Sequence, residues 1–281
     1  MNLDYFEKLL NLPDGQVLGR SGDYAKIDGV RFYYEIHGEG DPLILMHGAW
    51  ATIESLAFQV GPLSERFKVI LVERRGHGRT PDTPGKFTYM QSTEDMKRVI
   101  EYLDIKRAHI VGWSDGAVVG LLMARHHPEV VNRLVCISGS YHFRGYTRAF
   151  AKSFEESTAE SLNPMIKQVY KWTSPDGPEH FSKVFEKIKA MSSSHPRYTK
   201  KELEAIQIPT LVMSGDADIV CLEHTINFFK GLPYAQLSIV PGTTHMLPME
   251  SPGIVNSQII QFLEADSIER ASGDLFVIQG Q

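Results

Sequence analysis

The segment 112–116, Gly-Trp-Ser-Asp-Gly, places a serine between two glycines. It follows the apolar segment 108–111 and precedes a helical pattern of small and apolar residues over 117–124. A serine on a sharp turn from strand to helix is strained and keeps its hydroxyl exposed, and a side chain at either glycine would collide with backbone. The spacing alone is a weak signal, so the flanking strand and helix carry the prediction that Ser114 is a nucleophile.

A serine hydroxyl becomes a good nucleophile when a base takes its proton, and that base needs a third group to hold its tautomer. The candidate base is His245, just after the last predicted strand; the alternative is an ordinary surface histidine. For Ser114 the alternative is a helix cap. The candidate acid follows the strand at 210–214, and loops at the carboxyl ends of parallel strands meet along one edge. The order Ser, Asp, His is the order of a nucleophile-elbow fold.

Two carboxylates, Asp216 and Asp218, compete for the role of the acid. Because they are two residues apart, they point in different directions. Asp218 stands further into the loop and is favoured to reach His245, whereas Asp216 is expected to bond backbone amides of the turn. The loop 139–141, after the preceding strand, has no carboxylate and therefore offers no other acid.

Acyl transfer also needs donors for the oxyanion, and one such donor lowers the barrier by about 2.7–4 kcal/mol. The backbone N–H of Asp115 is one candidate, because free N–H groups and the helix dipole favour negative charge at a helix N-terminus. The backbone N–H of Ala49, in the loop after the strand at 43–46, is the second. His47 is expected to brace this loop.

Composition limits the function classes. The chain has 281 residues, enough for one α/β domain with a large core, and its net charge of −5 disfavours nucleic acid as a partner. It has no apolar run that could span a bilayer and no signal-peptide core at its N-terminus, so we predict no membrane partner and a cytoplasmic location. Cys136 and Cys221 form no disulfide framework, and no metal-ligand spacing or cofactor is predicted.

Hydrophobic patterns predict an α/β fold with a mostly parallel eight-stranded sheet flanked by helices. The segments 24–27 and 31–36 flank Asp28-Gly29, a pair that favours a two-residue hairpin turn. A further strand is predicted at 236–240, and continuous apolar runs predict strands buried on both faces at 43–46, 69–72, 109–111, 134–137 and 210–213. Helices are predicted between the strands, most clearly at 92–104, capped by Ser92 or Thr93, and at 252–264.

Residues 141–205 carry helical patterns without a convincing strand, and this is too long for a loop. The predicted division is therefore an N-terminal extension at 1–23 with a short helix at 4–11, a core at 24–140 and 206–266, a helical cap at 141–205, and a tail at 267–281. Most aromatic residues of the cap are expected to form its own core, while a few face a pocket. The predicted substrate-contacting residues are Trp50, Trp113, Asp115, Tyr141 and Phe143.

These motifs resemble the α/β-hydrolase family over about residues 20–265. His47-Gly48 resembles the family's oxyanion motif, the segment 75–80 resembles its R-G-x-G-x-S turn with Thr80 in place of serine, and Glu250-Ser251-Pro252 resembles the E-x-P that often follows the base. Glu73 stands where aspartate is common. The segment 112–116, the nucleophile elbow, is similar to that of the biphenyl-hydrolase-like group, which includes valacyclovir hydrolase. The resemblance implies a helical cap at 141–205.

The favoured interpretation is a serine hydrolase that cleaves a small-molecule carboxylic ester or lactone through an acyl-enzyme on Ser114. A cofactor-free perhydrolase or a carbon–carbon bond hydrolase would use the same residues. A non-catalytic small-molecule receptor is a further alternative, although it does not need a full triad. The Asp115 carboxylate has two interpretations. It either favours substrates with a positive charge near the scissile carbonyl, as in the group the elbow resembles, or it stabilises its own helix and pairs with a nearby lysine or arginine.

Overall fold

The computed structural model describes residues 21–268. The helix predicted at 4–11 and residues 269–281 of the predicted tail lie outside these residues.

Eight strands form a single sheet in the order β1-β2-β4-β3-β5-β6-β7-β8. The β1–β2 and β2–β4 pairs are antiparallel, and all other neighbours are parallel. The strands are β1 Asp23–Ile27, β2 Val30–His37, β3 Asp41–Met46, β4 Phe67–Val72, β5 Ala108–Trp113, β6 Val131–Ile137, β7 Thr210–Gly215 and β8 Ala235–Val240. The predicted mostly parallel eight-stranded sheet is therefore confirmed.

The first two strands are joined by the predicted hairpin turn. Asp28 and Gly29 both have positive φ, 49° and 78°, as a two-residue turn that matches the twist of its strands requires. Glycine reaches this region without cost and aspartate tolerates it. The Asp-Gly pair thus determines where the antiparallel edge of the sheet begins.

Ten α-helices accompany the sheet within residues 21–268. They are α1 Ala57–Ser64, α2 Tyr89–Tyr102, α3 Asp115–His126, α4 Arg148–Glu156, α5 Pro164–Thr173, α6 Phe181–Ser192, α7 Lys200–Glu204, α8 Leu222–Gly231, α9 Leu247–Glu250 and α10 Pro252–Glu264. Short 3₁₀ helices lie at Ile53–Leu56, Pro128–Val130 and Pro178–His180. Each of these helices is too short or too polar to cross a membrane.

Helix α2 begins earlier than the sequence pattern predicted. Its N-cap is Thr88, whose hydroxyl oxygen accepts a hydrogen bond from the Gln91 N–H at 3.0 Å. Thr93, a predicted cap, lies inside the helix and donates to the Tyr89 carbonyl at 2.9 Å. The apolar stripe in the sequence starts only at Met96, so the pattern gave no indication of the first helical turn. That turn contains Tyr89, which is buried.

The sheet has a hydrophobic core on each face. Helices α2 and α3 pack on one face, and α1 and α10 pack on the other. Between β6 and β7 the chain forms α4 to α7 and no strand. Helix α6 contributes Phe181 and Phe185 to the core beside α2 and α3, whereas α4 has no buried residue. The segment 141–205 therefore consists of a packed part and a part that lies open to a cavity, and its boundaries as a cap remain a prediction.

Candidate active site

Ser114 lies at the turn between β5 and α3 with φ 56° and ψ −119°, a strained conformation for a residue with a side chain. A Cβ on Gly116 would lie 2.2 Å from the Met46 carbonyl oxygen, and one on Gly112 would lie 2.3 Å from the backbone of Gly116. Both glycines are therefore required by close backbone approach, as the motif predicts. The Ser114 N–H donates to the Ile137 carbonyl at 2.9 Å, which ties the turn to β6.

His245 connects Ser114 to Asp218 by two hydrogen bonds. Its Nε2 lies 2.9 Å from the Ser114 hydroxyl oxygen, and its Nδ1 lies 2.8 Å from Asp218 Oδ1. A carboxylate can only accept, so Nδ1 carries the proton and Nε2 is left to accept from the Ser114 hydroxyl. The structure thus brings together the three predicted residues, in the arrangement that a serine nucleophile, its base and an orienting acid require.

The Asp218 carboxylate is buried and held by other donors as well as His245. The Ser138 hydroxyl donates to Oδ2 at 2.5 Å, the Ser214 hydroxyl donates to the same oxygen at 3.0 Å, and the Val220 N–H donates to Oδ1 at 3.1 Å. Burial raises the pKa of Asp218, but the hydrogen bonds from His245, Ser138 and Val220 outweigh burial, and the net shift is downward. Asp218 therefore stays ionised at neutral pH.

Ser138 and Ser214 were not predicted as site residues. Each is a small polar residue at the carboxyl end of an apolar run, Ser138 after β6 and Ser214 within the end of β7. That change from apolar to polar at the functional edge of the sheet was the only signal in the sequence.

The Asp216 side chain does not make the hydrogen bonds to backbone amides that were predicted for it. It is exposed and makes no hydrogen bond to the described residues, so it does not brace the turn. Backbone contacts hold the turn instead: the Asp216 N–H donates to the Val240 carbonyl at 3.3 Å, and the Ala217 N–H donates to the Thr243 carbonyl at 3.0 Å.

The loop after β3 lies against Ser114, since a Cβ on Gly48 would lie 3.2 Å from the Ser114 Cβ. The buried Arg74 supports this loop: one guanidinium nitrogen donates to the carbonyls of His47 and Gly48 at 3.0 and 2.9 Å, and its backbone N–H donates to His47 Nε2 at 3.2 Å. Burial lowers the pKa of His47 far below its usual value, so the ring stays neutral. His47 thus contacts the loop as a brace. The Ala49 N–H has no acceptor within residues 21–268.

Asp115 is the first residue of α3, so its N–H has no acceptor within the helix. Its side chain is buried, and Oδ1 accepts a hydrogen bond from the Tyr89 hydroxyl at 2.7 Å. Burial raises the pKa of the carboxyl, and the nearby Arg74 charge opposes that shift. The carboxylate therefore already has a hydrogen-bond donor and a neighbouring cation in the protein.

Ser114 and His245 open into a cavity of about 1010 Å³. Trp50, Trp113, Asp115 and Phe143, four of the residues predicted to contact substrate, line it. The Trp113 indole N–H also donates to the His245 carbonyl at 2.8 Å, and the Trp50 ring stacks on Phe185.

Tyr141 is not among the residues that line this cavity. Its ring stacks on His224 at a centroid distance of 4.0 Å and contacts Phe228. Tyr141 and Phe143 were both predicted to contact substrate, as aromatic residues of the helical segment that face the pocket. The chain between them separates the two rings, and only Phe143 faces the cavity.

The part of the cavity beyond Ser114 is mainly apolar. Helices α4 and α5 supply much of its wall, and the rest comes from α9, α6, α1 and loops that include the one after β3. The apolar residues from α4, α5 and α9 are Phe150, Ala151, Phe154, Met165, Ile166, Val169, Trp172 and Met249.

Metal chemistry would need a group of ligating side chains. Residues 21–268 contain no group of three or more His, Cys, Asp or Glu side chains that could hold a metal ion.

Two curated relatives match most of the chain in sequence. The chain is 26% identical to RutD of Caulobacter sp. (strain K31), whose name gives carbamate hydrolase as a provisional function, over 264 residues that cover 86% of this chain and 98% of RutD. It is also 26% identical to the AB hydrolase superfamily protein YisY of Bacillus subtilis, again covering 86% of this chain and 98% of the relative.

Solved structures show the same architecture. The meta-cleavage product hydrolase CumD of Pseudomonas fluorescens IP01 superposes with a TM-score of 0.74 at 20% identity, covering 86% of this chain and 97% of CumD. The enol-lactonase of Burkholderia xenovorans LB400 superposes with a TM-score of 0.69 at 20% identity, covering 86% of this chain and all of the other. The model of the alpha/beta hydrolase family matches residues 43–258. With that match over most of its length, the chain belongs to the alpha/beta hydrolase family.

Proposed function

We propose that this hydrolase cleaves a small-molecule carboxylic ester or lactone through an acyl-enzyme on Ser114. The observation that carries the proposal is the continuous set of hydrogen bonds from Asp218 through His245 to Ser114, 2.8 and 2.9 Å long, at the floor of a large cavity. Three side chains from distant parts of the chain meet in the order and geometry that acyl transfer needs.

In the first step, the Ser114 hydroxyl oxygen attacks the carbonyl carbon while its proton passes to His245 Nε2. The ionised Asp218 accepts from Nδ1 and stabilises the imidazolium that forms. The carbonyl oxygen becomes an oxyanion that accepts from the N–H groups of Asp115 and Ala49. The carbon–oxygen bond to the alcohol then breaks, and His245 returns its proton to the leaving oxygen.

In the second step, water attacks the acyl carbon and gives one proton to His245. The bond to Ser114 breaks, and His245 protonates the serine oxygen. The acid leaves, and the hydroxyl of Ser114 is regenerated. With a lactone the same steps open the ring, and the alcohol and acid leave as one hydroxy acid.

The cavity supports a substrate with a sizeable apolar group. Its volume of about 1010 Å³ is at the upper end of small-molecule sites, which typically measure about 300–1,000 Å³. The wall formed by α4 and α5 has aromatic and aliphatic side chains that desolvate an acyl chain or a ring. Short polar esters would leave this wall exposed to water and should be poorer substrates.

The test is a panel of p-nitrophenyl esters and lactones that vary in acyl length and charge. The proposal predicts turnover that rises with acyl length and is lost in Ser114→Ala. Two further assays separate the other reactions this site resembles: peroxide-dependent halogenation for a perhydrolase, and cleavage of a vinylogous diketone acid for a carbon–carbon hydrolase. Efficient turnover in either assay without ester or lactone hydrolysis would contradict the proposal. Tight ligand binding with no turnover would indicate a receptor.

A further inference from the structure

Tyr146 is fixed above the candidate site by backbone contacts to the loop that carries Asp218. The Thr147 N–H donates to the Ile219 carbonyl at 2.8 Å, and the Cys221 N–H donates to the Gly145 carbonyl at 2.8 Å. Between these two bonds, Tyr146 pairs with Val220 as an isolated antiparallel bridge. The backbone of Tyr146 is therefore held in place by the loop that carries Asp218, and not by the helices that form the cavity wall.

The Tyr146 side chain lines the same cavity as Ser114 and His245, and its ring packs on Phe150 at 5.2 Å. Its hydroxyl makes no hydrogen bond to any residue in 21–268, and it is not among the fully enclosed polar atoms that lack a partner. A molecule in the cavity can therefore reach it. Burial and the carboxylates of Asp115 and Asp218 raise the pKa of Tyr146, so the hydroxyl stays protonated and can donate.

The hydroxyl of Tyr89, a buried tyrosine beside Asp115, already has hydrogen-bond partners within the protein. The Tyr89 hydroxyl donates to Asp115 at 2.7 Å and lies 3.2 Å from the Ser192 hydroxyl. Tyr146 thus presents a free donor close to both acids of the site. A buried donor that a substrate satisfies favours that substrate over an analogue without the acceptor, because the analogue leaves the donor unpaired.

We propose that Tyr146 is a specificity-determining residue whose hydroxyl donates a hydrogen bond to a substrate oxygen beside the scissile carbonyl. The favoured substrate is then an ester or lactone with an ether, hydroxyl or keto oxygen within a few bonds of that carbonyl, attached to a larger apolar group. This inference rests on the proposed hydrolase function.

The experiment compares substrates that differ by one ether oxygen in place of one methylene. On the acyl side the pair is p-nitrophenyl methoxyacetate and p-nitrophenyl butyrate; on the alcohol side it is the 2-methoxyethyl and butyl esters of one acid. The kcat/KM ratio within each pair is measured in wild type and in Tyr146→Phe. Dividing the wild-type ratio by the Tyr146→Phe ratio cancels the electronic effect of the ether oxygen, because that effect is the same in both proteins. We expect the wild-type ratio to exceed the variant ratio about two- to tenfold for at least one pair.

Tyr141→Phe is the matched control. It removes a tyrosine hydroxyl from the same segment, and Tyr141 does not line the cavity, so its ratios should equal those of wild type.

Ratios unchanged in Tyr146→Phe for both pairs would overturn the proposal, and so would an equal loss on all four substrates, which would indicate a structural role. In both cases turnover that depends on Ser114 would leave the proposed function standing. Absence of such turnover in wild type would overturn the hydrolase proposal and this one with it.

Discussion

Two serine–histidine pairs of the same length lie at the carboxyl edge of the sheet, and they differ in what surrounds them. Ser114 and His245 are 2.9 Å apart, and so are Ser140 and His224. Both serines follow a strand of the parallel sheet. Distance alone therefore does not distinguish a nucleophile from a structural serine.

The proton arrangement differs between the pairs. The Ser140 hydroxyl donates to the His142 carbonyl at 2.6 Å, so it is left to accept from His224 Nε2. In that direction the histidine is the donor and cannot act as the base for the serine. Ser114 has the opposite arrangement, because Asp218 holds the Nδ1 proton of His245 and leaves Nε2 free to accept.

The environments also differ. Burial lowers the pKa of His224 to about 4, its ring lies under Tyr141, and none of its hydrogen bonds is to a carboxylate in residues 21–268. His245 lies between an ionised carboxylate and the open cavity. The comparison shows that the orienting acid and access to substrate, rather than contact between serine and histidine, define the candidate catalytic site.

The largest expected effect separates the two serines directly. Ser114→Ala should lower kcat on a p-nitrophenyl ester by about a millionfold, as nucleophile removal does in other serine hydrolases. Ser140→Ala should keep kcat within about threefold while destabilising the fold by about 1–3 kcal/mol, because it leaves His224 Nε2 without its hydrogen-bond partner. Kinetics and thermal unfolding on purified variants measure both. A catalytic loss in Ser140→Ala comparable to that in Ser114→Ala would invalidate the distinction.

The next effect concerns the acid. Asp218→Asn should lower kcat on the order of ten-thousandfold, because an amide can hold the imidazole in the wrong tautomer. Asp216→Asn should leave kcat within about twofold, since the Asp216 side chain is exposed and Asp218 is the carboxylate bonded to His245. Steady-state kinetics on the pair is the measurement. A larger loss at Asp216 would reverse the assignment of the acid.

A smaller effect separates the two aromatic residues that follow β6. Phe143→Leu should change the kcat/KM preference between long and short acyl groups by about tenfold, the scale of one methylene contact in an apolar pocket. Tyr141→Leu should leave that preference unchanged, because Tyr141 packs on His224 outside the cavity. The ester panel measures both. If the preference moves only in Tyr141→Leu, the cavity as described is not the acyl site.

The smallest effect concerns the Asp115 carboxylate. The Tyr89 hydroxyl already donates a hydrogen bond to this carboxylate, and the positive charge of Arg74 lies near it. The carboxylate should therefore add little to the binding of a substrate ammonium group. The kcat/KM ratio of an α-amino ester to its des-amino analogue should therefore stay within about twofold in Asp115→Asn. The control variant is Tyr89→Phe, which keeps the charge and removes its donor. A tenfold fall of the ratio in Asp115→Asn alone would instead show that the Asp115 carboxylate binds a positively charged group of the substrate.

Much of the fold was predictable because it follows from local patterns. The buried strands are continuous apolar runs, and the hairpin is specified by Asp28 and Gly29. The elbow is specified by two glycines that no other residue can replace without a backbone collision. The convergence of Ser114, Asp218 and His245 follows from parallel strands whose carboxyl ends share an edge.

What could not be predicted depends on three-dimensional contacts without a local signature. Ser138 and Ser214 matter because the Asp218 carboxylate lies against them, and the change from apolar to polar residues at the strand ends does not identify that partner. Tyr141 and Phe143 are two residues apart and similar in type, yet the fold turns only one into the cavity. Tyr146 is held over the site by pairing with Val220, a residue 74 positions later.

The central claim is that Ser114 carries the acyl group during turnover. The direct measurement is peptide mass spectrometry on protein quenched with acid during steady-state hydrolysis of a p-nitrophenyl ester. We expect the mass of one acyl group on the peptide that contains Ser114, and no adduct in Ser114→Ala. Turnover without that adduct, or an adduct on Ser140, would contradict the account.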